Sequence, residues 1–192
     1  AVGGKADVCP NVEVFENIVD VYQVVEGVPA GIYSINVQAF ERPAANGSYD
    51  GTEEALVYLF MNEFQTPIMN IAAGALPQEQ AQDQVNCWTG ATDWQVDYLF
   101  TSSDGSVSGY VPNSMTGASY AFAGGRYVNT CYGIVGEDGV MKIGLTSNGV
   151  KGGAAHWVLW ANFKLIYEGQ NEDAIAAILE STIANVNEYM NN

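Results

Sequence analysis

The chain has 192 residues, and its six Lys and Arg against 22 Asp and Glu leave a formal net charge of −16. Neutralising phosphates takes clustered basic side chains, so this balance excludes a nucleic-acid partner and an anionic membrane surface, and no apolar stretch approaches the roughly 18 residues of a membrane helix. With 48% apolar residues, 11 Tyr, 7 Phe and 4 Trp, the composition excludes a disordered chain and suffices for a core without staples.

The chain begins at Ala1, as expected of a processed or trimmed chain. Val12 to Glu26 is rich in Val, Ile, Phe and Tyr. In Gly31 to Glu41, Tyr33, Ile35, Val37 and Ala39 alternate with Ser34, Asn36 and Gln38, the period-two pattern of a half-buried strand. The turn Glu26 to Gly31 is expected to join these two runs as antiparallel neighbours. Ala55 to Met61 reads as a buried strand. Asn62-Glu63 turns it back into Phe64 to Ile71, where Pro67 belongs at an edge or bulge. Pro77 to Gln84 is polar and suits a short helix on a connection, and Thr92 to Thr101 is a further strand before the Asp104-Gly105 turn.

Arg126 to Val135, Val140 to Thr146 and His156 to Tyr167 are the clearest strands. The Asp138-Gly139 and Asn148-Gly149 turns between them favour positive φ, as hairpin turns require. They read as an antiparallel meander, with Trp157, Leu159, Ala161, Phe163, Leu165 and Tyr167 on one face. The expected core is Tyr33, Ile35, Val37, Leu56, Tyr58, Ile134, Ile143, Leu159, Phe163 and Leu165. The period then changes: Asn171 is a candidate N-cap, and Ile175, Ile178, Leu179, Ile183 and Val186 follow at helical spacing, predicting a helix from about Glu172 to Tyr189. Residues 1–169 thus read as one all-β sandwich domain, and 170–192 as a C-terminal α-helix connecting to a further domain. Crossovers such as Ile71 to Thr92 favour jelly-roll or Greek-key wiring.

A screen for chemistry returns little. The single histidine, His156, sits at a predicted strand start and reads as a surface or strand-end residue, a binding role being the alternative. Gly105-Ser106-Val107-Ser108-Gly109 puts Val where a nucleophile elbow needs Ser, and no phosphate or dinucleotide loop occurs. Cys9, Cys87 and Cys131 allow one disulfide at most and read as buried, inert thiols. Calcium takes oxygen ligands at no fixed spacing, which makes Asp50 and Glu53, on one loop, the candidate metal ligands. The alternative is that acids simply tolerate turns.

Three segments together resemble a known family. They are Asp20-Val-Tyr-Gln23 with Gly27-Val-Pro-Ala-Gly31 through Arg42; Tyr110-Val-Pro-Asn113 with Ala121-Phe122, Gly125 and Tyr127-Val-Asn129; and Asp138 to Gly144 with Trp157 to Gly169. The pattern is similar to galactose-binding-like jelly-roll domains of the carbohydrate-binding-module type in secreted and surface proteins of gut Bacteroidetes. Ala161 stands where that family usually has Asp. The resemblance covers about Val12 to Gly169. It implies a secreted or cell-surface location, often calcium, and a non-catalytic role beside neighbouring domains.

The expected function is therefore a non-catalytic carbohydrate-binding module, with an adhesion or protein-interaction sandwich, or a structural spacer, as the alternative. A glycan is expected at a loop end near Arg42, Tyr49, Trp88 and Trp94. Aromatic faces there would stack on sugar C–H surfaces while polar groups bond hydroxyls. The Arg42 to Thr52 loop is the most loop-like insertion, and Arg42 brings a planar donor fork.

Overall fold

The computed structural model describes residues 1–77, 80, 97–169 and 172–191. Its chain opens with β1 (Val2–Lys5), β2 (Cys9–Phe15), β3 (Asp20–Val25) and β4 (Gly31–Arg42), then β5 (Tyr58–Met61), β6 (Phe64–Pro67) and the short β7 (Met69–Asn70). The hairpin β8 (Asp97–Thr101) and β9 (Ser108–Pro112) leads into helix α1 (Met115–Ala123). Strands β10 (Val128–Val135), β11 (Met141–Thr146) and β12 (Trp157–Gly169) and helix α2 (Glu172–Asn191) complete it.

The architecture is mostly β, with antiparallel sheets. One sheet runs β1-β2-β12-β4-β10, with β7 pairing parallel to β4, and a second runs β3-β11-β5-β6. A core of Tyr33, Ile35 and Val37 from β4, Leu59 and Met61 from β5, Leu145 from β11 and Trp160 from β12 fills the space between them. The odd residues of β4 enter this core as the alternation predicts. The even residue Phe40 points to the other face, where α1 and the β8–β9 hairpin bury it with Phe100, Phe122, Tyr127 and Trp157. The first sheet is thus covered on both faces, which places β4 centrally and gives it a neighbour on each side. Pro67 lies on β6, an edge strand, where its missing N–H costs no ladder bond.

Strand partnership departs from the sequence reading. β3 and β4 are not neighbours: β3 pairs with β11 and β4 with β10 and β12. Nor do β10, β11 and β12 form a meander, because β11 belongs to the second sheet. The turn chemistry itself is as expected, with Gly139 at φ 66° and Asn148 and Gly149 at 50° and 78°. Positive φ reverses the chain equally well whether the next strand joins the same sheet or crosses to the other.

The predicted face of β12 also breaks. Asn162 adopts φ 57° and the register against β4 shifts between Ala161 and Lys164. This bulge moves Leu165 and Tyr167 to the opposite face from Trp157 and Leu159, opposite Ile35 and Tyr33. β2 pairs only with Trp157 to Trp160, so the outer half of β12 is an edge, and Phe163 remains 43% exposed and Leu165 likewise. Ile134 is exposed too, since β10 buries Cys131, Gly133 and Val135 instead. Truncating Phe163 to Ala should therefore cost under about 1 kcal/mol, whereas Phe40→Ala, in a fully buried site, should cost ~3–5 kcal/mol. Paired thermal melts check the contrast.

Helix α1 had no counterpart in the sequence reading. Ser114 caps it by accepting from the Gly117 N–H, and it buries Gly117, Ala118, Ser119, Ala121 and Phe122. Small residues on the packed face leave little apolar periodicity to read. Asn11 fixes the helix to β2 through bonds to the Met115 carbonyl and the Ser119 hydroxyl. α2 begins with Glu172 and Asp173, as predicted, and seats Ile178 in the core. Asn171, its proposed cap, lies outside the described residues.

Candidate functional site

Register assembles the site. Trp157 of β12 lies opposite Phe15 of β2 on one side and Arg42 of β4 on the other. Directly opposed residues project from the same face, so Phe15, Trp157 and Arg42 form a row across three strands at one end of the sheet. Glu13, two residues before Phe15, shares that face, and its carboxylate accepts the Trp157 indole N–H at 2.7 Å. The Arg42 guanidinium lies over the indole, 4.9 Å from the ring centroid, and one of its terminal nitrogens donates to the Ala155 carbonyl at 3.2 Å. Asn113, Ser114 and Met115, where β9 runs into α1, form the opposite wall. Together these residues line a cavity of about 420 Å³.

Its surfaces divide by chemistry. Phe15, 51% exposed, and Met115 offer apolar area; Glu13, Asn113 and Arg42 offer acceptors and donors. The buried Arg42 Nε has no hydrogen-bond partner among the described residues. Burial lowers the guanidinium from its ordinary value, and the neighbouring Tyr49 phenol partly offsets that.

Tyr49 sits on the loop that leaves Arg42 and lines a second cavity, of about 460 Å³, with Asp50, Glu53, Tyr98, Phe100 and Ser103. Its ring is 7% exposed and stacks on Phe100 with centroids 5.2 Å apart, so it presents no open stacking face. The arrangement brings Arg42 and Tyr49 close enough to couple electrostatically, but at two different cavities. Trp88, Trp94 and Cys87 lie outside the described residues.

Asp50 and Glu53 hold the loop. Glu53 accepts from the Asp50 and Gly51 N–H groups at 2.8 and 3.0 Å and from the Asn70 amide at 3.2 Å. Asp50 accepts from the Thr52 N–H and hydroxyl and from Ser103. Those hydrogen bonds draw the Asp50 carboxyl below its ordinary value, the Thr52 hydroxyl most strongly. Both carboxylates face N–H and O–H hydrogens, so a calcium ion would have to share or displace these donors. Among the described residues no group of three or more His, Cys, Asp or Glu side chains converges for a metal.

His156 is not at the surface. It is 2% exposed, and its Nε2 lies 2.7 Å from Glu41 Oε1. Glu41 also accepts from the Leu56 and Val57 N–H groups. The pair closes the end of the inter-sheet core. Cys9 and Cys131 are buried free thiols, and burial pushes the Cys131 thiol up to about 11.

Sequence reasoning missed Phe15, Trp157, Glu13 and Asn113 as site residues. Reading Val12 to Glu26 as one apolar run concealed that β2 stops at Phe15, where Glu16 turns at φ 48° and donates its N–H to the His156 carbonyl. No protein-family model, curated protein or solved structure matches the chain. No described helix is long and apolar enough to cross a membrane.

Proposed function

We propose that the chain is a non-catalytic carbohydrate-binding module of a secreted or cell-surface protein, with galactose-binding-like jelly-roll wiring and further domains beside it. The carrying observation is the cavity at the end of the first sheet. There the half-exposed Phe15 lies in register with Trp157 and Arg42, ringed by Glu13 and Asn113. A sugar needs an apolar surface for its C–H face and fixed polar groups around the rim for its hydroxyls, and this row supplies both. The histidine supports the absence of catalysis: its Nε2 is engaged inside the core by Glu41.

A glycan array probed with the wild type and with Phe15→Ala tests the reading. Loss of the stacking platform should weaken binding about five- to tenfold, worth ~1 kcal/mol or slightly more, while the melt is unchanged because Phe15 is half out of the core. Running the array with and without calcium tests the Asp50 and Glu53 ligands in the same experiment. Equal binding by both proteins would remove the cavity from consideration.

The protein-interaction reading has its own support. Phe163, Leu165 and Tyr167 on the outer half of β12 are exposed, and Ile175, Leu179 and Ile183 form an exposed stripe at four-residue spacing on α2. Exposed large apolar side chains of this kind suit a protein neighbour better than a sugar.

A further inference from the structure

Resting on the glycan reading of this same cavity, we infer that the ligand is an acidic sugar, a uronic or sialic acid unit whose carboxylate seats on Arg42. Three observations converge on that side chain. It is held in place: β4–β12 register sets its position, the Trp157 ring lies beneath it, and Ala155 takes one donor. It has donors to spare, since a guanidinium carries five N–H groups and Ala155 engages only one terminal nitrogen. It also lacks a counter-charge. In a chain with 22 acids and six bases, no described carboxylate lies within ion-pair distance of Arg42. Glu13, the acid nearest in the cavity wall, is bonded to the Trp157 indole instead.

A neutral hydroxyl accepts one N–H and brings no charge. A carboxylate takes two donors in the plane of the fork and supplies the missing anion. The far wall favours the same sign. Asn113, Ser114 and Met115 lie at the start of α1, where the first N–H groups have no intrahelical acceptor and the helix dipole is positive. The net charge of −16 does not reverse this, because exposed charges more than ~8–10 Å away are screened at physiological salt. The cavity is therefore polarised: a carboxylate at Arg42, hydroxyls toward Glu13, and the ring face on Phe15.

The test is an array of galacturonate, glucuronate and sialylated oligosaccharides, each printed as free acid and as methyl ester, beside neutral glycans. The wild type should prefer the acid over its ester at least ~10-fold in one or more pairs, a preference of the size a charge-assisted bidentate contact gives. Arg42→Gln should reduce the preference to within ~3-fold, and Arg42→Lys, which keeps the charge and loses the fork, should fall between. Melts accompany both variants. If Arg42→Gln fails to fold, the wild-type pairs and Arg42→Lys decide. Esters bound as well as acids, or a folded Arg42→Gln that keeps the preference, overturn the inference and leave the glycan reading standing. Binding to no glycan on the array overturns both.

Discussion

Replacing Glu41 with Ala should lower stability by roughly 3–5 kcal/mol, the range for breaking a buried pair from one side. The substitution leaves His156 Nε2 and the Leu56 and Val57 N–H groups without their acceptor, all inside the core. An unsatisfied buried donor costs far more than the bond it made was worth. At about 2–4 °C per kcal/mol for a chain of this size, the melting temperature should fall by on the order of 10 °C. Replacing both Glu41 and His156 with apolar residues should cost less than Glu41→Ala added to His156→Ala, since the pair shares one penalty. A drop below about 2 °C in Glu41→Ala would show that the pair does not close the core.

The second large effect has the opposite sign. Asp97 is 5% exposed, and neither carboxylate oxygen has a hydrogen-bond partner among the described residues. Burial raises its carboxyl to about 6 from 3.8, with Arg126 pulling the other way. A folded value above the unfolded one means that the neutral acid is favoured in the fold. Both states are protonated only below about pH 3, so there the carboxyl carries no penalty. The penalty grows as pH rises from the unfolded value of 3.8 to the folded value of about 6, and is complete above it. Asp97→Asn, neutral at every pH, should then be more stable than the wild type by roughly 2–3 kcal/mol at pH 7.5 and equal to it near pH 3.5. Melts of the two proteins from pH 3.5 to 7.5 give the difference directly, with the remaining acids common to both. A constant difference across that range would contradict the account.

The sequence exposes local structure better than partnership. The alternation Tyr33, Ile35, Val37 identifies β4 and its buried face, because both follow from the two-residue period alone. The positive-φ turns at Gly139 and Asn148-Gly149 and the acidic start of α2 are equally local. Which sheet a strand joins is decided by contacts across the whole chain, so β3 beside β4 and the β10–β12 meander were the nearest-neighbour readings and were wrong. One unpaired residue at the Asn162 bulge was enough to turn Leu165 and Tyr167 to the other face.

The candidate site divides in the same way. Arg42 was legible, as a rare base where a motif-bearing strand opens into a long loop. Phe15 and Trp157 join it only through register between strands far apart in sequence. Tyr49 shows the converse error. A polar loop makes its aromatic look exposed, yet Phe100, some fifty residues later, supplies the flat surface that buries it.

The central claim is that a glycan occupies the row of Phe15, Trp157 and Arg42. Amide and indole NMR spectra of the isotope-labelled chain, titrated with the tightest-binding oligosaccharide from the array, test it most directly. The Trp157 indole N–H, hydrogen-bonded to Glu13 at the cavity wall, should shift with the amides of Phe15, Ser114 and Met115, and follow one saturating isotherm. Shifts confined to the Tyr49–Glu53 loop or to the exposed faces of β12 and α2, with the Trp157 indole unmoved at saturation, would contradict it.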